Sequence, residues 1–215
     1  MKILFINPNS SDAITGILTK EAKKYEDDDL VVEVKKCEKS PKEITGGYDD
    51  LIAGVNVIEM LKNEKDYDVA VIGCVGDPGL DAARMMIDKP VVGLFESDYT
   101  MAKFNGSRYS IVTSGNWEEI SAWHLELRKK GESENIASIR YIDSTVEGTL
   151  KESNEKIAEE VLKCKKLDGA DTVILGCSAF AGRGKELTEM TGIPVIDGIK
   201  ESIYLAKMLA EYNKQ

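Results

Sequence analysis

The sequence predicts an α/β protein of two pseudo-symmetric domains, each a parallel sheet flanked by helices. Three observations predict it. Short apolar runs alternate with helix-length amphipathic segments, the pattern of βα units around a parallel sheet. Two of these runs, Val69-Ala-Val-Ile-Gly-Cys74 and Thr172-Val-Ile-Leu-Gly-Cys177, end in the same Gly-Cys pair, 103 residues apart. The spacing is nearly kept beyond them: Pro194-Val195 lies 104 residues after Pro90-Val91, and the segment 3–9 echoes 109–115. The expected division is residues 1–97 plus 197–215 for the first domain and 98–196 for the second, with the functional site in the cleft between them.

The elements follow in order. Lys2 to Ile6 is the first expected strand, and the polar loop Asn7-Pro-Asn-Ser-Ser11 supplies serines to cap a helix from about Asp12 to Tyr25. The acidic run Glu26 to Asp29 reads as a solvated turn before a strand at Leu30 to Val34. Tyr48 to Lys62 is expected to be helical, with Leu51, Ile52, Val55, Ile58 and Met60/Leu61 as its apolar stripe. The strand ending at Cys74 is followed by the turn Gly76-Asp-Pro-Gly79, a helix over Leu80 to Ile87 and a strand over Val91 to Phe95. In the second half, a strand at Tyr109 to Thr113 leads through the loop Ser114-Gly-Asn116 into a helix from Trp117 to about Lys130, stopped by Gly131. Ile139 to Ile142 is a strand, and a helical stretch runs from about Val146 to Lys166, loosened near Glu147-Gly148. Strands at Val173 to Leu175 and Val195-Ile196 flank the segment from Gly182 to Thr191, and a closing helix runs from Gly198 to about Tyr212.

Composition limits the function classes. At 215 residues with 42% hydrophobic side chains, the chain can bury an ordinary core. A net charge of −10 argues against a nucleic-acid or anionic-membrane surface, because phosphates demand an excess of basic residues. The apolar run at the N-terminus is too short for a signal peptide, and no stretch approaches the ~18 apolar residues of a spanning helix, so a cytoplasmic protein is expected. Cys37, Cys74, Cys164 and Cys177 show neither zinc-ligand nor Cys-x-x-Cys spacing, and there is one histidine, so no metal is expected. Gly182-Arg-Gly184 falls short of the dinucleotide fingerprint and no phosphate loop is present; the expectation is no cofactor. The expected partner is a small-molecule substrate bound by a homo-oligomer, with no nucleic acid and no membrane.

Ligands of open parallel sheets collect beyond the carboxyl ends of the strands, which is where Cys74 and Cys177 fall. Two thiols addressing opposite faces of one carbon suit proton removal on one side and return on the other. A free thiol with a pKa of about 8.5 is mostly neutral at pH 7, so nearby backbone N–H groups and helix N-termini are needed to favour the thiolate. The other titratable candidates read as structural. Cys164 has the spacing of a helix core stripe with Ile157 and Val161, and Cys37 among lysines reads as a partly exposed thiol. His124 reads as an edge-of-core side chain on the helix of Trp117, Ile120, Trp123 and Leu127. Asp77 reads as a cap of the short helix after Pro78, or as a residue orienting the Cys74 loop.

The segments Phe5-Ile-Asn-Pro-Asn-Ser10, Gly73-Cys-Val-Gly-Asp-Pro-Gly-Leu-Asp-Ala-Ala-Arg84, Val112-Thr-Ser114, Leu175-Gly-Cys177 and Pro194-Val-Ile-Asp-Gly198 resemble the Asp/Glu/hydantoin racemase superfamily, nearest its hydantoin and allantoin racemase branch. The resemblance runs through the whole chain. It implies the aspartate/glutamate racemase-like fold and an isomerase that works without a cofactor by proton transfer between paired cysteines. It carries over Cys74 and Cys177 as the acid/base pair. It also suggests that Asn7, the amides of Val75 and Gly76, Ser114 and Ser178 bind the oxygen atoms of the substrate. Val75 and Ser178-Ala179 stand where that branch commonly has Phe and Ala-Gly, which leaves the substrate open. An aspartate/glutamate-type racemase, a maleate-isomerase-like enzyme and a non-catalytic ligand-binding protein are the competing readings.

Overall fold

The computed structural model describes residues 1–213 and divides into two units, Met1–Ser97 with the segment from Ile199 onward, and Asp98–Gly198. In the first unit, β1 (Lys2–Asn7), β2 (Val31–Lys36), β3 (Val69–Ile72) and β4 (Val91–Gly93) form a parallel sheet in the order β2-β1-β3-β4. The second unit repeats the order with β5 (Tyr109–Gly115), β6 (Ile136–Asp143), β7 (Thr172–Leu175) and β8 (Val195–Ile196), arranged β6-β5-β7-β8 and again parallel. Both cysteine-delivering strands, β3 and β7, therefore occupy the same interior place, and all four residues of each are buried. Burial on both faces explains why these runs read as continuous β-branched and aliphatic sequence.

Helices cover the sheets. The first unit carries α1 (Asp12–Ala22), α2 (Gly47–Asn63), α3 (Leu80–Met86) and the returning α9 (Ile199–Tyr212), which packs on β1, β3 and β4. Ser11 caps α1 by accepting the Ile14 N–H at 3.4 Å. In chain order α4 (Leu94–Asn105) follows β4, and its residues fall on both sides of the division at Ser97/Asp98. The second unit adds α5 (Trp117–Lys130), α6 (Val146–Thr149), α7 (Asn154–Lys166) and α8 (Gly184–Thr191). Asn116 caps α5 through the Glu118 N–H at 2.8 Å, and Gly131 ends it with φ 73°.

Four expectations from sequence are corrected. The strand expected over 91–95 stops at Gly93, and Leu94 and Phe95 begin α4. Five consecutive apolar and small residues carry no periodicity with which to place that boundary. Ser114 and Gly115 extend β5 rather than forming a loop, because the Gly115 N–H continues to the Ser144 carbonyl at 2.9 Å. The stripe expected on α2 holds at Ile58, Met60 and Leu61, which pack on the core, but not at Leu51 and Val55, which are exposed; Ala53, Gly54 and Val57 are buried in their place. Cys37 is buried rather than partly exposed; its N–H continues the β1–β2 ladder to the Asn7 carbonyl at 2.9 Å and its side chain joins the cluster of Leu4, Ile6, Val57 and Leu61. Cys164 packs with Ile157, Val161 and Val173, as its helical spacing predicts. The stretch 146–166 is two helices separated at 150–153, with Ser153 capping the second through the Lys156 N–H.

Candidate active site

In the first unit the site residues stand at the carboxyl ends of β1 and β3. The Gly73 N–H adds one more bond to the ladder, reaching the Ile6 carbonyl at 2.7 Å. A Cβ on Gly73 would lie 2.3 Å from Phe5 Cε1 and 3.0 Å from that carbonyl oxygen, so packing against β1 demands glycine there. Cys74 follows, half-buried, and its carbonyl accepts the Asp77 N–H at 2.9 Å to close a turn over 74–77. The turn contains buried Val75 and half-buried Gly76. Asn7, fully buried, donates through Nδ2 to Asn9 Oδ1 and Thr15 Oγ1, both at 2.9 Å, and so holds the loop after β1.

Asp77 does more than the sequence suggests, and at a different place. The start of the short helix α3 has Gly79, with φ 76°, in the cap position. The Asp77 carboxylate instead reaches α4: Oδ1 accepts the Phe95 N–H and Oδ2 the Glu96 N–H, each at 3.0 Å. These are two of the donors that the first turn of a helix leaves without intrahelical partners. Gly93, just before α4, has no side chain to cap with, and a Cβ there would lie 2.5 Å from the Asp77 carboxyl carbon. Arg84 braces the same region from α3, donating to the Val91 carbonyl at 3.0 Å and pairing with Glu96.

In the second unit the pattern recurs. The Gly176 N–H reaches the Val112 carbonyl at 2.8 Å, and a Cβ there would meet Ile111 Cγ2 at 2.7 Å and Trp123 Cζ2 at 2.9 Å. Cys177, half-buried, leads into a single 3-10 turn over Ser178–Phe180, with the Phe180 N–H on the Cys177 carbonyl at 3.0 Å. Ser114 lies buried at the end of β5 beside Thr113, whose hydroxyl donates to the Gly176 carbonyl at 3.1 Å. Asn7, Cys74, Val75 and Gly76 thus share one sheet edge, and Ser114, Cys177 and Ser178 share the equivalent edge of the other unit.

Two further residues escaped the sequence reading, and the helix that Asp77 caps is not the one expected. Asp77 acts as a cap across 18 residues of chain. Arg183, taken for a fragment of a weak glycine motif, donates to the carbonyls of Thr149, Leu150 and Glu152 and to Asn154 Oδ1, which ties the segment after α6 to the loop that follows Cys177. Burial holds its guanidinium below the usual arginine range. Glu119, half-buried in the first turn of α5, is pushed above the usual carboxylate range by burial and then by Glu118, and its Cγ fills the space beside Gly115. Asp77 and Arg183 have no local signature, since their partners are distant in sequence, whereas Glu119 has Glu118 and Gly115 close beside it in the chain. His124 is exposed on α5, so the expected place at the core edge is corrected: Trp123 and Leu127 take the buried face. Among the described residues no group of three or more His, Cys, Asp or Glu side chains is placed to hold a metal ion. No helix among them is long and apolar enough to cross a membrane.

Comparison with known proteins adds to this geometry. A family model described as Asp/Glu/Hydantoin racemase matches residues 3–206. A hydantoin racemase from Paenarthrobacter aurescens is 30% identical, covering 100% of this chain and 93% of that protein. A hydantoin racemase from Pseudomonas sp. (strain NS671) is 32% identical, covering 100% of this chain and 88% of its own. Among solved structures, an allantoin racemase from Klebsiella pneumoniae matches with a TM-score of 0.91 at 32% identity, over 99% of this chain and 89% of that one.

Proposed function

The chain belongs to the Asp/Glu/hydantoin racemase family and is an isomerase of the racemase type, and from that premise we propose that it racemises a 5-substituted hydantoin or allantoin without a cofactor, using Cys74 and Cys177 as its two bases. The observation that carries the reading is the duplicated delivery of the thiols: in each unit an interior parallel strand, a ladder-extending glycine and a half-buried cysteine follow one another in the same order. The hydantoin and allantoin racemases among the relatives support the choice of substrate class.

In this reading one cysteine, as thiolate, removes the proton from the ring carbon next to a carbonyl, and the electron pair moves onto the carbonyl oxygen. The other cysteine, as thiol, returns its proton to the opposite face, and the pair is left with its protonation states exchanged. The proposal requires the two units to bring their thiols to opposite faces of one carbon. The amides of Val75 and Gly76 and the hydroxyls of Ser114 and Ser178 bind the substrate oxygens and stabilise the enolate-like intermediate. Asn7 joins them by exchanging one of its Nδ2 partners, Asn9 or Thr15, for a substrate oxygen. The protein works in the cytoplasm as a homo-oligomer.

The test is a racemisation screen of hydantoins, allantoin, aspartate and glutamate in heavy water. The expected result is inversion with deuterium uptake on the hydantoins or allantoin, with and without chelator. Cys74→Ser and Cys177→Ser should each abolish net inversion, and each should keep deuterium exchange of one enantiomer only. Wild-type racemisation by both single variants would remove the two-thiol mechanism; inversion of aspartate or glutamate alone would move the substrate to the amino-acid class.

A further inference from the structure

We propose that Asp77 is a positioning residue for the Cys74 half-reaction: its carboxylate, anchored on the first turn of α4, holds the turn over 74–77 in the conformation that presents the thiol and the Val75 and Gly76 amides. The inference rests on the racemase reading above and goes beyond it in assigning a residue that does not touch the substrate.

Four observations carry it. Asp77 has φ 48°, a left-handed conformation that a non-glycine residue adopts at a cost, with Asp among the residues best able to tolerate it. Such strain persists where surrounding contacts over-determine it. Here the contacts are the two 3.0 Å bonds from Phe95 and Glu96 N–H to the two carboxylate oxygens, made by a side chain only 4% exposed. The same residue's N–H closes the turn on the Cys74 carbonyl at 2.9 Å, and its carbonyl accepts the Leu80 N–H at 3.1 Å. The backbone of Val75 and Gly76 is thus suspended between a strand end at Gly73 and a residue whose side chain is fixed to another helix. Gly93 completes the device, because only a residue without Cβ leaves room for the carboxyl group.

Geometry makes the carboxylate suited to holding: each of its two oxygens accepts a different backbone N–H in the first turn of α4, which fixes both the position and the orientation of the group. Asparagine at 77 keeps a single acceptor oxygen and no charge, and alanine keeps neither. The expected series is therefore Asp, then Asn, then Ala.

The experiment follows two ratios in the full-length protein. The first is deuterium exchange of the two enantiomers in heavy water, with the face served by Cys74 identified as the one whose exchange Cys74→Ser loses. Asp77→Asn should slow that face roughly tenfold to a hundredfold, while the Cys177 face stays within about twofold. Asp77→Ala should do more and also lower Tm by on the order of 5 °C through loss of the cap. Ser153→Ala, which removes a cap of α7, is the control for cap loss alone and should leave the face ratio unchanged. The second ratio is the rate of Cys74 alkylation by iodoacetamide against that of Cys177, which needs no substrate and should change at least several-fold in Asp77→Asn. Equal slowing of both faces, or an unchanged alkylation ratio in a folded Asp77→Asn protein, overturns the positioning role. Absence of exchange in the wild type overturns the racemase reading instead, and the alkylation ratio then decides the role of Asp77 by itself.

Discussion

Gly54, in the middle of α2, and Gly79, at the start of α3, meet backbone to backbone: a Cβ on Gly79 would lie 2.8 Å from both the Cα and the carbonyl oxygen of Gly54. This contact explains the departure of α2 from the expected stripe, because the helix approaches the 76–79 turn through its smallest residues and leaves Leu51 and Val55 outward. Gly79→Ala adds a left-handed alanine to that collision and should cost about 2–4 kcal/mol. Gly54→Ala gains about 1 kcal/mol of helix propensity but places its Cβ 3.0 Å from the Gly79 nitrogen, so its net loss should be smaller. Urea unfolding of the two variants checks the order.

The paired glycines before the catalytic candidates should be equally intolerant for a different reason. Gly73 and Gly176 have no left-handed backbone. Their constraint is steric: the Phe5 ring in one unit, and Ile111, Thr113 and Trp123 in the other. Gly73→Ala and Gly176→Ala should each destabilise by about 1–3 kcal/mol, and each should displace the cysteine that follows. Denaturant midpoints measure the first effect and alkylation rates of Cys74 and Cys177 the second.

The four thiols should separate by reactivity. Burial pushes Cys37 and Cys164 from the ordinary 9.0 up to about 11, and both are essentially inaccessible, whereas Cys74 and Cys177 are half-buried. Iodoacetamide at pH 8 should label Cys74 and Cys177 in the native protein and reach Cys37 and Cys164 only on unfolding, as peptide mass spectrometry would record.

The same two buried thiols set a sign for alkaline stability. Well below pH 9 they are protonated in both states and contribute no slope. Between about 9 and about 11 the unfolded chain releases protons that the native chain retains, so stability falls as pH rises through that window. The expected loss is on the order of 2 kcal/mol per thiol by pH 11. In a Cys37→Ala, Cys164→Ala protein the decline over this window should be correspondingly shallower in a series of urea melts.

Arg183→Ala should loosen the loop after Cys177 by removing the side-chain donor from the carbonyls of Leu150 and Glu152 and one of the two donors to Thr149, whose carbonyl keeps the Glu152 N–H, at a cost of about 2–4 kcal/mol. Arg183→Lys should recover little, since one ammonium group cannot span acceptors that the two terminal guanidinium nitrogens divide between them. Hydrogen exchange at the backbone N–H groups of 149–154 reports the loosening directly.

Local chemistry made much of this molecule legible before folding. The four βα repeats of each half, the Gly-Cys pairs, the Ser11 cap and the Gly131 stop are written in periodicity and turn residues that act over a few positions. The burial of Cys164 followed from helix spacing alone, as did the helix from Trp117 to Lys130. The residues that carry the family resemblance likewise lie in contiguous motifs.

By itself, then, the sequence determined the α/β class, the duplicated strand order's raw material and the two thiols at strand ends, because each is encoded within one turn of helix or one strand. Tertiary structure alone decided which helix Asp77 caps, which face of α2 is buried, that Cys37 is covered, and where Arg183 reaches. Each of those outcomes is a contact between segments distant in sequence, where backbone clearance at a glycine or an unpartnered helix N–H selects among side chains that are locally equivalent.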